Sequence, residues 1–409
     1  MQLFRYCRIF AIFLLFFQFH PLFCAEITVP RMELATWGAE IDGNFAFATN
    51  AAIDINLSGG YKYGFLLGLS FITANLGKAL AYRNFAIAPA AGVTVSPEEY
   101  NNLVDRYNNQ AVLSFRIAKA TARDLFNLPL EFSYFAGLGD PLCSGEEFAS
   151  RYGIYDVGTA FTGFYYFPEG IGRNPQRRYN GLYSVQGTGF SFALTKLENF
   201  IPMLYLYQDF TIFDGRELLF ERPQFSGDLR FLFNLMHFQA EAYTGISGAK
   251  GEKPEIRGGI LAFFRSGAGT EFLLQCGIPG WKIDEEFSID NLYLLFEPRL
   301  RFGIVALHTT FFYHPIKYLH IITEEERGKA DINIKLLIGD LPRFNIVGGF
   351  ETTMGLQVYG MADYSMTMGP FISILGSGLQ WDVKLRIDPL AWQTPGQVFQ
   401  FFAGVKTAF

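Results

Sequence analysis

The sequence predicts an all-β protein, a closed antiparallel transmembrane β-barrel of about 14–18 strands with short helices in its loops. Three observations lead there. Apolar and polar residues alternate with period two in many short runs. Beyond residue 25, no uncharged apolar stretch is long enough to span a bilayer as a helix. The alternating runs carry large Phe, Leu and Trp side chains on their apolar parity.

The cleanest run is 378–388. Leu379, Trp381, Val383, Leu385 and Ile387 hold one parity, and Gln380, Asp382, Lys384, Arg386 and Asp388 hold the other. Successive side chains of a strand point to opposite faces, whereas a helix cannot segregate residues in this order. The pattern returns elsewhere. Asp228, Arg230 and Asn234 alternate with Leu229, Phe231, Phe233 and Leu235, with Leu232 breaking the polar face. His237, Gln239 and Glu241 alternate with Phe238, Ala240 and Ala242; Asp331, Asn333 and Lys335 with Ile332, Ile334 and Leu336. Asp54 and Asn56 interleave with Ile53, Ile55 and Leu57, and Ser114 and Arg116 with Leu113, Phe115 and Ile117. Arg343, Asn345 and Glu351 share a parity against Phe344, Ile346 and Phe350. Turn signals separate the runs at Gly59-Gly60, Gly139-Asp140-Pro141, Asn180-Gly181, Asp214-Gly215, 248–254, Pro279-Gly280, Gly328 and 376–378.

Composition narrows the class. The 409 residues are 50% hydrophobic and 18% charged, with 33 Lys+Arg against 39 Asp+Glu and a formal net charge of −6. With Phe 45, Tyr 21 and Trp 4, the chain is too aromatic and too sparsely charged for disorder. It has no basic excess with which to displace counterions from nucleic acid. A mean hydropathy of +0.16 is low for a helical membrane bundle and high for a soluble protein of this size. A soluble sandwich also alternates, but side chains this large would overfill its narrow core, and no blade-like repeat supports a propeller. Without a spanning helix, only a closed barrel satisfies the backbone inside hydrocarbon. Allowing ~10 residues per tilted strand and similar loop lengths gives the strand number above.

Residues 1–25 read as a secretory signal peptide, leaving 26–409 as the barrel. Arg5 and Arg8 form a basic start, 9–19 is apolar except for Gln18, and Cys24-Ala25 is a small-residue end. Cleavage removes two arginines and no acid, making the mature chain more negative, and leaves Cys143 and Cys276. The sequence leaves open whether those two meet in a bridge.

The chain ends Val398-Phe399-Gln400-Phe401-Phe402-Ala403-Gly404-Val405-Lys406-Thr407-Ala408-Phe409. Phe399, Phe401, Ala403 and Val405 share the parity of the terminal Phe409. With the signal peptide and the alternation, this strand resembles the closing strand of bacterial outer-membrane β-barrel proteins, porin-like in type and spirochaete-like in aromatic and glycine content. Thr407 departs from the larger apolar residue usual there. The resemblance implies residence in the bacterial outer membrane among its lipids. It also implies assembly by the machinery that reads a terminal aromatic such as Phe409.

Two capping boxes interrupt the strand pattern. Ser96-Pro97-Glu98-Glu99 predicts a helix near 97–109, and Ser144-Gly145-Glu146-Glu147 a second one ending at Gly153. Both are expected to decorate external loops, the alternative being that one folds inward and narrows the lumen. The basic run 173–178 reads as a solvated loop tip. Catalytic chemistry has little support. His308, His314 and His320 are evenly spaced, but Pro315 interrupts the ladder. Cys-x-x-Cys, His-Glu-x-x-His and phosphate-loop patterns are absent, and Gly187-Thr188-Gly189 reads as a strand kink or turn. Neither a metal, a cofactor, nucleic acid nor an enzyme activity is expected.

The functional expectation is a channel for passive diffusion of small hydrophilic solutes, with self-association left open. Its lining candidates by parity are Arg116, Asp228, Arg230, Glu241, Asp331, Lys335, Asp382, Lys384 and Arg386. Their mixed signs predict modest ion selectivity. Two alternatives stand beside it. One is a transporter of hydrophobic substrates such as long-chain fatty acids, marked by an N-terminal plug within 26–50, although 37–48 reads as strand. The other is a plugged barrel whose loops adhere to host or matrix molecules.

Overall fold

The computed structural model describes residues 26–41, 44–73, 112–160, 181–195, 197, 199–209, 224–249, 251, 253–267, 269–314, 317–318, 321–322, 329–357, 364–393 and 398–407. Its first strands are β1 (Glu26–Ile41), β2 (Asn44–Gly59), β3 (Tyr63–Thr73), β4 (Val112–Ala122), β5 (Leu130–Leu142), β6 (Tyr183–Leu194) and β7 (Phe200–Asp209). Then come β8 (Gln224–Leu235), β9 (Phe238–Ala249), β10 (Glu255–Arg265), β11 (Thr270–Lys282), β12 (Tyr293–Phe302) and β13 (Val305–His314). A minor hairpin, β14 (Lys317–Tyr318) and β15 (Ile321–Ile322), precedes β16 (Lys329–Asp340), β17 (Ile346–Gln357), β18 (Tyr364–Gly376), β19 (Leu379–Ile387) and β20 (Phe399–Thr407). Two short helices are described, α1 (Glu146–Tyr152) and α2 (Leu341–Phe344).

Apart from the minor hairpin, the strands form one 18-stranded antiparallel sheet. Each pairs with its neighbours in sequence, and β1 pairs with both β2 and β20, from Glu33 opposite Lys406 to Gly38 opposite Phe401. The sheet therefore closes and has no free edge, as hydrocarbon demands.

The two ends differ. Connections 60–62, 123–129, 195–199, 236–237, 266–269, 303–304, 341–345 and 377–378 lie at the end holding both the start of β1 and the end of β20. All are short. The opposite end carries the long connections 74–111, 143–182, 210–223 and 315–328. Outer-membrane barrels share this asymmetry.

Alternation is inside-out. Trp381, Val383 and Leu385 of β19 are exposed on the outer wall, whereas Asp382, Lys384 and Arg386 turn inward. Near the short-turn end the outward aromatics pair across strands. Ring centroids lie 5.5 Å apart for Phe132 and Phe190, 4.8 Å for Phe200 and Phe233, and 6.4 Å for Phe272 and Phe296. Such a girdle suits the membrane interface.

Several local readings need correction. The run 37–48 is split between the end of β1 and the start of β2, which pair antiparallel up to Ile41 opposite Asn44. Gly139-Asp140-Pro141 and Pro279-Gly280 lie within β5 and β11 rather than in turns, the former at a bulge opposite β6. Arg343 and Asn345 belong to α2 and its cap. A second bulge, between Gly68 and Leu69 opposite β4, leaves Arg116 as the extra residue and turns Ile117 inward, 3% exposed. One inserted residue flips the parity of every later position in its strand. Gly187 and Gly189 lie within β6 where it runs close against β7, so that a Cβ at either would strike the β7 backbone. The expected signal peptide, the helix at 97–109, the basic run 173–178, Asp214-Gly215, Gly328 and Phe409 lie outside the described residues. So do the side chains of His314 and His320.

An outward Val383→Arg change near the middle of β19 should cost about 2–4 kcal/mol in urea unfolding from lipid vesicles. An unchanged midpoint would place Val383 away from lipid.

Candidate functional site: an inward fold and a charged arc

The segment after β5 turns into the barrel instead of decorating its exterior. Cys143 (φ 53°) and Gly145 (φ 86°) take left-handed backbone conformations at its entry. A Cβ on Gly145 would lie 2.5 Å from Gly158 N and 2.7 Å from the Val157 carbonyl carbon. The outgoing and returning limbs are thus in backbone contact, and only glycine fits. Ser144 caps differently from the expected box, its Oγ accepting from Glu146 N at 3.1 Å while donating to Pro141 O at 3.2 Å. Gly153, also left-handed, ends α1 as expected, donating to Ala149 O.

Apolar burial seats this fold. Phe148, Val157 and Leu182 are fully buried in one internal core with Leu232, Leu261, Phe263, Leu273, Tyr293 and Leu295 of the wall. Burying one such side chain is worth about 1.5–3 kcal/mol. Leu232, the apolar break in the polar parity of β8, is therefore an inward contact of this core.

Buried carboxylates then fix its position. Glu241 accepts from Cys143 N at 2.5 Å, and Gln275 donates to Cys143 O at 2.8 Å. Glu297 accepts from Thr159 Oγ1 at 2.5 Å, Ala160 N at 3.0 Å, Thr310 Oγ1 at 2.8 Å and Arg299 Nε at 2.6 Å. Arg299 also donates to Asp156 O at 2.7 Å and to Gly158 O. In α1, Glu147 accepts from Arg151 at 2.5 Å and stands 3.5 Å from Arg230, while Arg151 reaches Glu131 at 3.0 Å. Since Glu131 sits near the short-turn end of β5, the fold runs deep into the barrel. The side chains of Glu146, Ser150 and Tyr155 stay exposed, whereas the exposed Asp156 carboxylate pairs with Arg265 of β10 at 2.7 Å.

The cysteines do not bridge; both are free. Cys143 is buried beside Glu241, whereas Cys276 follows the inward Gln275 and so shares the outward parity of Leu274 and Phe272. Burial, and then the neighbouring Glu241 carboxylate, push the Cys143 thiol well above its ordinary range.

The structure divides the nine lining candidates. Asp228, Arg230 and Glu241 point inward but are at most 1% exposed, sealed beneath the inward fold. Arg230 Nε meets Glu241 at 2.8 Å. Asp228 is bound twice by Arg257, at 2.7 and 2.8 Å, and once by the Tyr207 hydroxyl at 2.8 Å. These residues brace β7–β10. Breaking one buried ion pair typically costs about 3–5 kcal/mol.

The other six lie on the opposite arc, formed by β16–β20 and β1–β4. Arg116 pairs with Asp54 across the bulge. Asp382 accepts from Ser373 Oγ at 2.5 Å and Gln380 Nε2 at 2.8 Å, with Lys406 Nζ 3.9 Å away. Lys335 and Lys384 approach Glu351 at 3.9 and 3.7 Å. Arg386 lines the same recess as Lys384 and Glu351. Asp331 holds the inward parity of β16, half-buried and opposite Gly355.

Sequence reasoning missed several partners. Glu33, which accepts from Arg31 at 2.6 Å, and Lys406 lie across the closure. Lys119 meets Asp140 at 3.1 Å. Glu297 and Arg299 share a parity against Phe296, Pro298 and Leu300, a signal present in the sequence.

The closed barrel belongs to the same fold class as two solved bacterial proteins. Acinetobacter baumannii OccAB2 is similar over 95% of this chain and 99% of that one, at 10% identity and a TM-score of 0.54. OccAB3 of the same organism is similar over 94% and 99%, at 10% identity and 0.51. A BenF-like porin from Pseudomonas fluorescens Pf-5 aligns over 94% and 98% at 6% identity, with a TM-score of 0.48. At such identities the likeness is one of fold. No family model matches this chain, and neither does any curated protein.

Gly145→Val should unseat the inward fold. Alkylation of Cys143, followed by mass mapping of its peptide, should speed up by at least about tenfold as the thiol reaches solvent. An unchanged rate would mean that the limbs tolerate the added side chain.

Proposed function

We propose that this chain is a porin-like channel of the bacterial outer membrane, passing small hydrophilic solutes by passive diffusion. The observation that carries the reading is the asymmetric interior. An inward fold packs on the β5–β13 side, and ionised side chains from β16–β20 and β1–β4 turn inward opposite its exposed face. A closed barrel of 18 strands is wide enough for a wet lumen beside such a fold.

Solutes would pass between Glu146 and Tyr155 on the inward fold and Arg116, Asp331, Lys335, Asp382, Lys384 and Arg386 on the arc. Charges of both signs alternate along that arc, which favours modest selectivity over exclusion. Export by a cleaved 1–25 leader, assembly through a machinery that reads Phe409, and self-association in the membrane belong to the same proposal. The fatty-acid transporter loses its marker, because the described residues of 26–50 form β1 and the first part of β2 in the barrel wall.

Purified protein in planar bilayers should give stable single-channel steps in potassium chloride. Replacing both Lys384 and Arg386 by Glu should move the reversal potential toward the cation side. Silent bilayers would overturn the channel; steps with an unmoved reversal potential would remove the two residues from its lining.

A further inference from the structure

We infer that the barrel wall opens sideways to the lipid between β4 and β5, near the long-connection end. A slender amphiphile, one hydrocarbon chain with an uncharged hydrogen-bonding head, enters the lumen there. The inference goes beyond the channel reading and does not rest on it.

The sheet closes, but this seam is short. β4 and β5 pair only from Ala122 opposite Phe132 to Ile117 opposite Gly137. Both strands run on toward the long-connection end. Residues 112–116 keep their pairing to β3, with Phe115 opposite Leu69 and Leu113 opposite Phe71. Residues 138–142 keep theirs to β6, with Leu138 opposite Gln186 and Leu142 opposite Tyr183. Among the described residues, these two stretches do not pair with each other. They part because β5 turns inward. Gly137 (φ 106°) lies so close to β4 that a Cβ there would stand 2.2 Å from Arg116 O. Beyond it Asp140 accepts from Tyr205 at 2.9 Å and meets Lys119 at 3.1 Å, and Arg230 donates to Pro141 O at 3.3 Å. In β6 the alternation stops: Tyr183, Ser184 and Val185 are all buried, with Arg257 4.1 Å over the Tyr183 ring. These two strand ends therefore belong to the internal core, while β4 stays in the wall. Leu113 is 71% exposed, against 43% for the outward Leu229, which has a paired strand on both sides.

Backbone left unpaired at membrane depth is tolerated where it lines a wet cavity, so the gap leads into the lumen. Five residues of strand make it about 17 Å tall. Leu113 and Phe115 stand on its lipid side. On its lumen side Arg116, bulged out of the β3 ladder, pairs with Asp54 through Nη2. Its Nε is buried and has no hydrogen-bond partner among the described residues. Charges at the gap are otherwise matched one to one, Arg116 with Asp54 and Lys119 with Asp140. A buried unused donor favours an acceptor, and matched charges give no gain for a buried ion. A hydroxyl at the end of an apolar chain meets both conditions.

The probe is hexadecanol carrying a photoreactive diazirine beside its hydroxyl, added to phosphatidylcholine vesicles that hold the full-length mature protein. After photolysis the labelled side chains are mapped by mass spectrometry, with unlabelled hexadecanol and hexadecanoate as competitors. Wild type should be labelled at the inward Asp54 and Asp140, and hexadecanol should suppress that labelling. Leu113→Trp, a lipid-facing change that narrows the gap, should lower it. Arg116→Met/Asp54→Asn should lower it at Asp140 by at least about tenfold, as expected for one lost hydrogen bond to a charged group. Val383→Trp on β19 should leave it unchanged, and heat-modifiable migration on a gel checks that each variant is folded. Labelling confined to outward side chains such as Leu113, Phe115 and Leu385 overturns the opening. Asp140 labelling unmoved by Leu113→Trp overturns it as well. Suppression by hexadecanoate as strong as by hexadecanol overturns the uncharged head. Conductance is a separate readout: silent bilayers overturn the channel alone, and failed labelling the sideways opening alone.

Discussion

Hydrocarbon offers no partner for a backbone amide or carbonyl, and the rest of this molecule is shaped by that constraint. Every spanning strand must be paired on both sides. The first and last strands meet that requirement by pairing with each other, β1 against β20. Closure then sorts the side chains. One parity faces lipid and is apolar, and the other faces an interior free to be polar, charged or packed.

The interior uses that freedom unequally. Along β5–β13 it is built like the core of a soluble domain, around Phe148, Leu261, Phe263 and Tyr293. The polar groups of the inward fold are satisfied by buried carboxylates and guanidinium groups. Along β16–β20 and β1–β4 the inward side chains mix buried neutral groups such as Asn333, Thr353 and Phe371 with partly buried ionic ones such as Lys335, Lys384 and Lys406. The same parity thus performs two tasks. Over one half it anchors the inward fold, and over the other it lines the interior with charged groups such as Lys384 and Asp382.

The candidate site was legible to different depths. Asp382, Lys384 and Arg386 were visible because β19 alternates without a break, and the three do turn inward. Asp228, Arg230 and Glu241 carried the same signal, yet they lie sealed beneath the inward fold. Parity reports which face a residue takes and not what covers that face. The bulge at Arg116 shows a second limit, since a single extra residue reverses the count for Ile117 and the rest of its strand. The helix ending at Gly153 was legible from local chemistry, but its destination was not. The contacts that draw it inside, such as Thr159 with Glu297 and Arg299 with Asp156, join residues well over a hundred positions apart.

By itself the sequence determined that this chain is a transmembrane barrel of many antiparallel strands, because period-two alternation and the lack of a spanning helix are local properties. Only the tertiary structure decided that the strands number eighteen, that the segment after β5 fills one side, and that Lys335, Lys384 and Arg386 gather around Glu351. Those outcomes depend on register and closure, which bring together residues from distant strands and which no single stretch of chain encodes.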